Sequence, residues 1–206
     1  MKGAACTWLA ALGIASSAWA GSVSVGANAS LDLGTGSLAL GCADLDVLGT
    51  MSAGVVGFTQ GRDVAIDSNG TLNGNSATLE LSGDWDNQGT FVAGTSTVRM
   101  VDGCGLLSAV VSGKSSFHNF EVISAGGKQI RFEAKATQQV TNLLSFAGVL
   151  GSLLQIRSTV DGTPAYLEAA GASSATFVDV QDNDATPGGP IALGSDSVKG
   201  SNTPGW

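Results

Sequence analysis

The feature that most constrains the fold of this chain is a series of very short runs in which apolar and polar residues alternate. A period of two places every second side chain on the same face, as a β-strand with one buried face requires. Each run has only three to five residues. The clearest runs are 45–48, 64–66, 79–81, 98–100, 120–122, 130–132, 154–156, 166–168 and 178–180.

Turn-forming residues separate these runs throughout the chain after residue 20. Clusters of Gly, Asn, Asp and Ser recur every 6 to 12 residues, as at 68–70, 73–75, 86–89, 93–95, 125–127 and 161–162. The segment that comes nearest to a helical period, 135–150, is interrupted by Thr141, Asn142 and Gly148. The fold class is therefore predicted to be all-β.

Strand length and composition separate two all-β architectures. A β-sandwich uses strands of about five or six residues and a core with several aromatic side chains, whereas aromatic residues make up 6% of this chain. A parallel β-helix lays two or three short strands in each coil of about twenty residues and turns sharply between them. The 30 glycines suit such corners. A single-chain parallel β-helix, or solenoid, is therefore predicted.

Residues 1–20 have the organisation of an export signal peptide. Lys2 provides a positive start, residues 7–14 form an apolar run, and Ala18-Trp19-Ala20 ends in the small-x-small pattern that signal peptidase cleaves. The apolar run is too short to span a bilayer, which takes about 20 residues. We therefore expect a secreted or cell-surface protein whose mature chain does not insert into a membrane.

The charge balance argues against two classes of partner. The chain has 17 Asp and Glu against 9 Lys and Arg, a formal net charge of -8. A nucleic-acid-binding protein needs a basic face to neutralise phosphates, and anionic lipid attracts basic segments. The hydrophobic content of 43% is also too high for intrinsic disorder. No nucleic-acid partner is expected.

Two cysteines, Cys42 and Cys104, follow the predicted leader. A pair in an oxidising compartment is expected to form one disulfide, and the alternative is two buried thiols. Together with the single histidine they are too few for a structural zinc site, which takes four ligands. No cofactor or metal is predicted.

Two parts of the chain resemble exported bacterial repeat proteins rich in Gly, Ser and Thr. Residues 79–100, LELSGDWDNQGTFVAGTSTVRM, and the segment 116–122 are similar to a recurrent segment of those proteins, and 177–185 and 200–206 are similar to their last coils. The resemblance covers about residues 43–206. It implies a right-handed parallel β-helix on the bacterial surface, adhesin-like and often followed by a C-terminal sorting tail, and it implies no chemistry.

Asp84 and Asp86 are the first candidates for a site, because residues two apart on a strand point the same way. Paired carboxylates perform acid–base work on glycosides. The sequence Asp84-Trp85-Asp86-Asn87 is equally typical of a strand end whose side chains stabilise a corner, and that interpretation is favoured. An exposed Trp85 would stack on a sugar ring, and a core position suits it at least as well.

Asp179, Asp182 and Asp184 form the densest acidic cluster, and oxygen ligands at such spacing suit Ca²⁺. The cluster lacks the EF-hand and calcium β-roll patterns, so a solvated loop is favoured. His118 is the single histidine, so any Ser-His-Asp or Cys-His unit would depend on it, and a structural role is favoured. Trp206 is expected to plug the last coil.

Two classes of function remain open. The first is a non-enzymatic structural or adhesive solenoid of the bacterial cell exterior, a fibre, sheath or matrix subunit whose partner is itself. In this hypothesis residues 43–206 form the β-helix, and residues 21–42 form an N-terminal cap or a strand donated to a neighbour. The second is a carbohydrate-binding or polysaccharide-cleaving β-helix whose partner is a cell-surface glycan. The first is favoured, with no catalytic residues.

Overall fold

The computed structural model describes residues 21–206, and the predicted signal peptide, residues 1–20, lies outside the described residues. The described chain is all-β, as predicted, and none of it forms a helix that could cross a membrane. Its strands are β1 (Ser22–Val25), β2 (Ser30–Asp32), β3 (Ser37–Ala39), β4 (Asp44–Val47), β5 (Thr50–Ser52), β6 (Gly57–Gly61), β7 (Val64–Ile66), β8 (Thr71–Asn73), β9 (Thr78–Leu81), β10 (Trp85–Asn87), β11 (Thr90–Val92), β12 (Thr97–Val101), β13 (Ser108–Gly113), β14 (Ser116–Ile123), β15 (Gln129–Phe132), β16 (Thr137–Ala147), β17 (Leu154–Ser158), β18 (Ala165–Ala169), β19 (Ala172–Thr176), β20 (Val178–Val180), β21 (Asn183–Asp184) and β22 (Val198–Lys199).

The strands stack into three parallel sheets that run along one rod. Sheet A has the order β1-β4-β7-β10-β13-β15-β17-β20-β22, sheet B the order β11-β8-β5-β2, and sheet C the order β21-β18-β16-β14-β12-β9-β6-β3, with β19 also paired to β16. Inside each sheet a strand pairs in parallel with the strands one turn before and after it, and each end strand pairs on one side. The chain is therefore a parallel β-solenoid of about eight turns, which confirms the predicted parallel β-helix.

The interior consists of apolar columns, one residue for each turn. In sheet A the register places Leu45, Val64, Trp85, Val111 and Phe132 in one column, and each is at most 1% exposed. Parallel strands lie about 4.8 Å apart, so each side chain in such a column packs directly on the next one. Burial of these columns supplies the main stabilising free energy, at about 25 cal/mol for each Å² of apolar surface.

Seven aromatic side chains form a continuous chain of contacts through the interior. Their ring centroids lie 4.7 to 6.3 Å apart, within the range of favourable aromatic pairs. The series consists of Trp85, Phe91, Phe117, Phe120, Phe132, Phe146 and Trp206. The few aromatic residues of this chain are therefore concentrated in the later turns of the core.

Residues with positive φ make the corners, where the sequence shows its Gly, Asn and Asp clusters. Asn28, Asn75 and Asp182 have φ of 63°, 51° and 52°, a region that Asn and Asp tolerate better than other non-glycine residues. Gly113 has φ of 72°, and a Cβ at this position would collide with the backbone of Asn87 one turn earlier. Corners of this kind let the chain turn within two or three residues.

Residues 21–42 form the first turn of the solenoid. Strands β1, β2 and β3 pair with β4, β5 and β6 of the second turn, and each is the terminal strand of its sheet. This turn therefore continues directly into residues 43–206. Its role as a cap or as a strand donated to a neighbour stays a prediction.

The predicted disulfide is present. Cys42 lies at the corner between β3 and β4, Cys104 lies in the loop between β12 and β13, and their sulfur atoms are 2.07 Å apart. The loop after β12 folds back along the rod, since the Sγ of Cys104 lies 4.0 Å from the carbonyl oxygen of Gly61 in the second turn. The bond therefore fastens the corner that follows the first turn to the loop that follows the fourth.

We expect the disulfide to contribute about 4 kcal/mol to the free energy of unfolding, because it closes a loop of 62 residues in the unfolded chain. The double variant Cys42→Ala/Cys104→Ala should lose about that much in a denaturant titration monitored by circular dichroism. Wild-type protein kept reduced serves as the matched control and should unfold near the double variant. Equal stability of the oxidised protein and the double variant would contradict the prediction.

Candidate functional site

Asp84 and Asp86 hold neighbouring turns together. The Oδ1 atom of Asp84 accepts a hydrogen bond from the backbone N–H of Val110 at 2.7 Å. The Oδ1 atom of Asp86 accepts one from the Oγ of Ser112 at 2.8 Å and another from the Nε2 of Gln88 at 2.7 Å. Within residues 21–206 neither carboxylate forms an ion pair with a Lys or Arg. The structure therefore places Asp84 directly before β10 and Asp86 within it, and both carboxylates bond to the next turn instead of facing a catalytic partner.

Trp85 lies in the core and cannot stack on a sugar ring. Its side chain is 0% exposed, and its Nε1–H donates a hydrogen bond to the Oγ of Ser115 at 3.0 Å. Its ring packs edge-on against Phe91, with centroids 4.9 Å apart. The interpretation of Trp85 as an exposed sugar-stacking residue is therefore wrong, because the two neighbouring aspartates face outward and alternation turns Trp85 inward.

The acidic cluster near the C-terminus is divided among separate contacts. Asp179 pairs with Arg157 at 2.7 Å, and Asp184 accepts hydrogen bonds from the backbone and side chain of Thr186. Asp182 is almost fully buried, and the hydrogen bond from the backbone N–H of Gly162 lowers the pKa of its carboxyl group. Across residues 21–206, no three His, Cys, Asp or Glu side chains converge on a position suited to a metal ion.

The other two candidates have structural positions. His118 lies half-buried at the point in β14 where the register with β16 shifts, between Phe117 and Asn119. Trp206 packs against Phe146 with centroids 6.0 Å apart, and its Nε1–H donates a hydrogen bond to Asn183. Trp206 therefore covers the end of the last turn, as predicted.

A polar groove lies where sheet B stops. Strand β11 pairs with β8 on one side, and no strand of the described chain continues sheet B on the other side. The resulting groove has a volume of about 540 Å³ and is lined by Thr90, Phe91, Lys114, Gln139 and Glu168 among others. A second groove of about 500 Å³ adjoins it, shares Lys114, and continues past Glu133 and Lys135. We call the two together the sheet B groove.

A buried polar ladder supports the floor of the sheet B groove. The side-chain amide of Asn87 donates to the carbonyl oxygen of Lys114 at 2.9 Å and to the Oγ of Ser115 at 3.1 Å. One turn later the Oε1 of Gln138 accepts from the backbone N–H of Ser115, and its Nε2 donates to the carbonyl of Gly113 at 2.7 Å. Side chains therefore provide the hydrogen bonds that a missing strand would otherwise supply.

The rim of the sheet B groove carries both charges. Glu133 accepts a hydrogen bond from the backbone N–H of Gly113, and Glu168 accepts one from the amide of Gln139 at 2.8 Å. Lys114 and Lys135 are exposed, and neither forms an ion pair with any residue of the described range. Donors, acceptors and the half-exposed ring of Phe91 together suit a neutral ligand with many hydroxyl groups.

Sequence reasoning missed Lys128, which is 0% exposed inside the rod. Its Nζ donates hydrogen bonds to the carbonyl oxygens of Ser82 at 2.6 Å and Leu106 at 3.1 Å. Burial lowers the pKa of this amino group, and the carboxylates of Asp102 and Asp84 partly oppose that shift. Its ammonium therefore binds the loop after β12 to the preceding turn, on the same side as the disulfide.

Comparison with known proteins adds no relative: no family model, no curated protein and no solved structure matches the chain.

The buried Lys128 predicts a pH dependence of stability. Between its lowered pKa and about 10.4, the usual lysine value, the unfolded chain binds a proton that the folded chain does not. The free energy of unfolding should therefore rise with pH across this alkaline window. Lys128→Met should abolish this contribution and cost about 2 kcal/mol, because two carbonyl oxygens lose their donor.

Chemical unfolding at a series of alkaline pH values measures both effects. The matched control is Lys114→Met, which removes an exposed lysine and should leave the rise with pH unchanged. The same rise in Lys128→Met as in the wild type would contradict the assignment.

Proposed function

We propose that this protein is a secreted, non-enzymatic structural or adhesive solenoid of the bacterial cell exterior. The observation that carries the proposal is the continuous rod of about eight turns, closed inside by apolar columns and fastened by the disulfide. A disulfide is compatible with an extracellular protein. The candidate carboxylates Asp84, Asp86 and Asp179 hold the rod together, which supports a mechanical role over a catalytic one.

The outer face of sheet B suits contact with a hydrated polymer. Ser30, Thr50, Thr71 and Thr90 form one column on this face, one residue for each turn. Three of these side chains are exposed, and Thr71 is partly exposed. A regular column of hydroxyl groups offers donors and acceptors at a fixed spacing and adds no charge, as an adhesive surface for glycans or matrix polymers requires.

A carbohydrate-binding protein is the second candidate, and the sheet B groove favours it. This groove brings Lys114, Lys135, Glu133 and Glu168 together, although they are far apart in sequence. Hydrogen-bonding side chains beside a partly exposed aromatic ring are typical of sites that bind sugars by their hydroxyl groups and apolar faces. The polysaccharide-cleaving version of this function has less support, because Asp84 and Asp86 lie outside the groove's lining.

Export is tested by expressing the full chain in a bacterium and collecting the protein outside the cytoplasm. The expected product begins at Gly21, carries the disulfide and contains no free thiol. Ala20→Arg, which places a large charged residue at the cleavage position, should block processing. Ala15→Arg is the matched control, because it places the same charged residue in the signal peptide but away from the cleavage position. Full-length protein retained in the cytoplasm with Cys42 and Cys104 reduced would contradict the proposed function.

Glycan binding is tested with an array of bacterial polysaccharides and the chain from Gly21. The double variant Lys114→Ala/Gln139→Ala should weaken binding at least tenfold, the effect of losing about 1.4 kcal/mol. Lys199→Ala, at the C-terminal end of the rod, is the matched control and should bind as the wild type does. Absence of any bound glycan, or equal binding by the double variant and by Lys199→Ala, would contradict the carbohydrate-binding function.

A further inference from the structure

The two ends of the rod differ in how they cover the core. In the first turn the inward side chains of Val23, Leu31 and Leu38 are only half-buried. One turn later the residues stacked on them are fully buried; these are Leu45, Met51 and Phe58, each 0% exposed. Another layer of side chains packed on the first turn would therefore bury these three residues fully.

The same end presents a backbone edge. The carbonyl oxygens of Gly21 and Val25 accept hydrogen bonds from the second turn, from Asp44 and Leu48. Because hydrogen-bonding direction alternates along a parallel strand, the peptide groups of Ser22 and Ser24 point to the open end. Sheet A ends at β1, sheet B at β2 and sheet C at β3, so all three sheets contribute an edge there.

Within residues 21–206, this end has little of the protection against pairing with another chain beyond the shortness of its strands. Native edge strands carry charges, prolines or bulges that prevent such pairing. Residues 21–42 contain one charged residue, Asp32, and no proline. The protein as a whole has a net charge of -8. The first turn is therefore a nearly neutral surface on an acidic protein, where two copies can approach with little repulsion.

The opposite end is protected. Residues 185–206 contain three of the four prolines, Pro187, Pro190 and Pro204. This segment crosses the last turn: the N–H of Ala185 bonds to the carbonyl of Pro204, and the N–H of Gly189 bonds to that of Ala169. Within it Ile191 is 1% exposed. Head-to-tail stacking would have to displace this segment, so the two ends do not complement each other.

We propose that the first turn binds a second copy of this chain, head to head, in a closed two-fold dimer. When two rods meet by their N-terminal ends, the strands of one run antiparallel to those of the other, so β1 can pair with β1 of the partner subunit. The half-buried side chains of both first turns then cover each other. A two-fold contact uses the same surface on both copies and therefore stops at two.

This inference specifies the self-association of the proposed function, and it rests on that function for a chain that begins at Gly21. A bivalent rod results, with two identical outer ends and two copies of every side face. Two copies of an adhesive face on one particle bind a polymer more tightly than one copy, because the second contact is intramolecular.

The experiment is sedimentation of the oxidised chain from Gly21 between about 1 and about 100 µM, the range in which weak interfaces dissociate. The wild type should form dimers and nothing larger. Ser24→Pro removes an N–H that points to the open end and should shift the dissociation constant at least tenfold. Leu31→Lys should do the same by charging the surface between the copies.

The matched control for Leu31→Lys is Val198→Lys, which adds the same charge to an exposed valine at the C-terminal end and should leave the dimer intact. Circular dichroism and thermal unfolding establish that each variant is folded. Ser24→Cys should link two copies upon oxidation, and Val198→Cys should not.

Each other result overturns the inference. These results are a wild-type monomer at every concentration, filaments, a dimer lost in Val198→Lys, and cross-linking through position 198 alone. A monomer that is exported and processed at Gly21 would overturn the dimer and leave the proposed function standing. A dimer formed by a protein that stays reduced in the cytoplasm would overturn the proposed function and leave the dimer standing.

Discussion

The structure depends on the in-register stacking of parallel strands, one turn on the next. Hydrogen bonding fixes the distance between turns, so a side chain must accommodate the residue at the same register position above and below it. The column from Leu45 through Val64 and Trp85 to Phe132 shows the result. Side-chain size varies along it, but every member is apolar, because a polar group in such a column has no access to water.

Where the stacking is interrupted, polar side chains replace the missing contacts. Sheet B ends at β11, and the side chains of Asn87 and Gln138 then bond to backbone groups of residues 113–115 that a further strand would have satisfied. Lys128 acts similarly beneath the loop after β12, where its ammonium satisfies two carbonyl oxygens. The sheet B groove is a consequence of this interruption, so its polar lining and its buried support have the same origin.

The fold class and the strands could be predicted because alternation and corner residues are local signals, and the disulfide could be predicted because two cysteines follow the predicted signal peptide. The same local pattern also bears on two buried residues, Trp85 and Lys128. Alternation turns Trp85 inward between two outward aspartates, and it places Lys128 on the same face as Ile130 and Phe132. Alternation therefore indicates burial of both residues. The usual exposure of lysine conceals this signal at Lys128, and the use of tryptophan in sugar binding kept an exposed Trp85 open as an alternative.

The groove could not be found in this way. Turn length varies: Leu45 pairs with Val64, 19 residues later, whereas Trp85 pairs with Val111, 26 residues later. Without a constant repeat, the sequence does not show that Lys114 and Lys135 face the same groove. The hydrophobic pattern decides which face of each strand is buried, but the variable loops decide which residues of successive turns lie side by side.

The position of the disulfide determines how the rod would carry tension. A pulling force applied at Gly21 would peel off the first turn and then reach Cys42. From there the covalent bond would transmit the load directly to Cys104, bypassing everything in between. Residues 43–103, which include the second, third and fourth turns, would bear no load and would stay folded while the chain outside this loop was stretched.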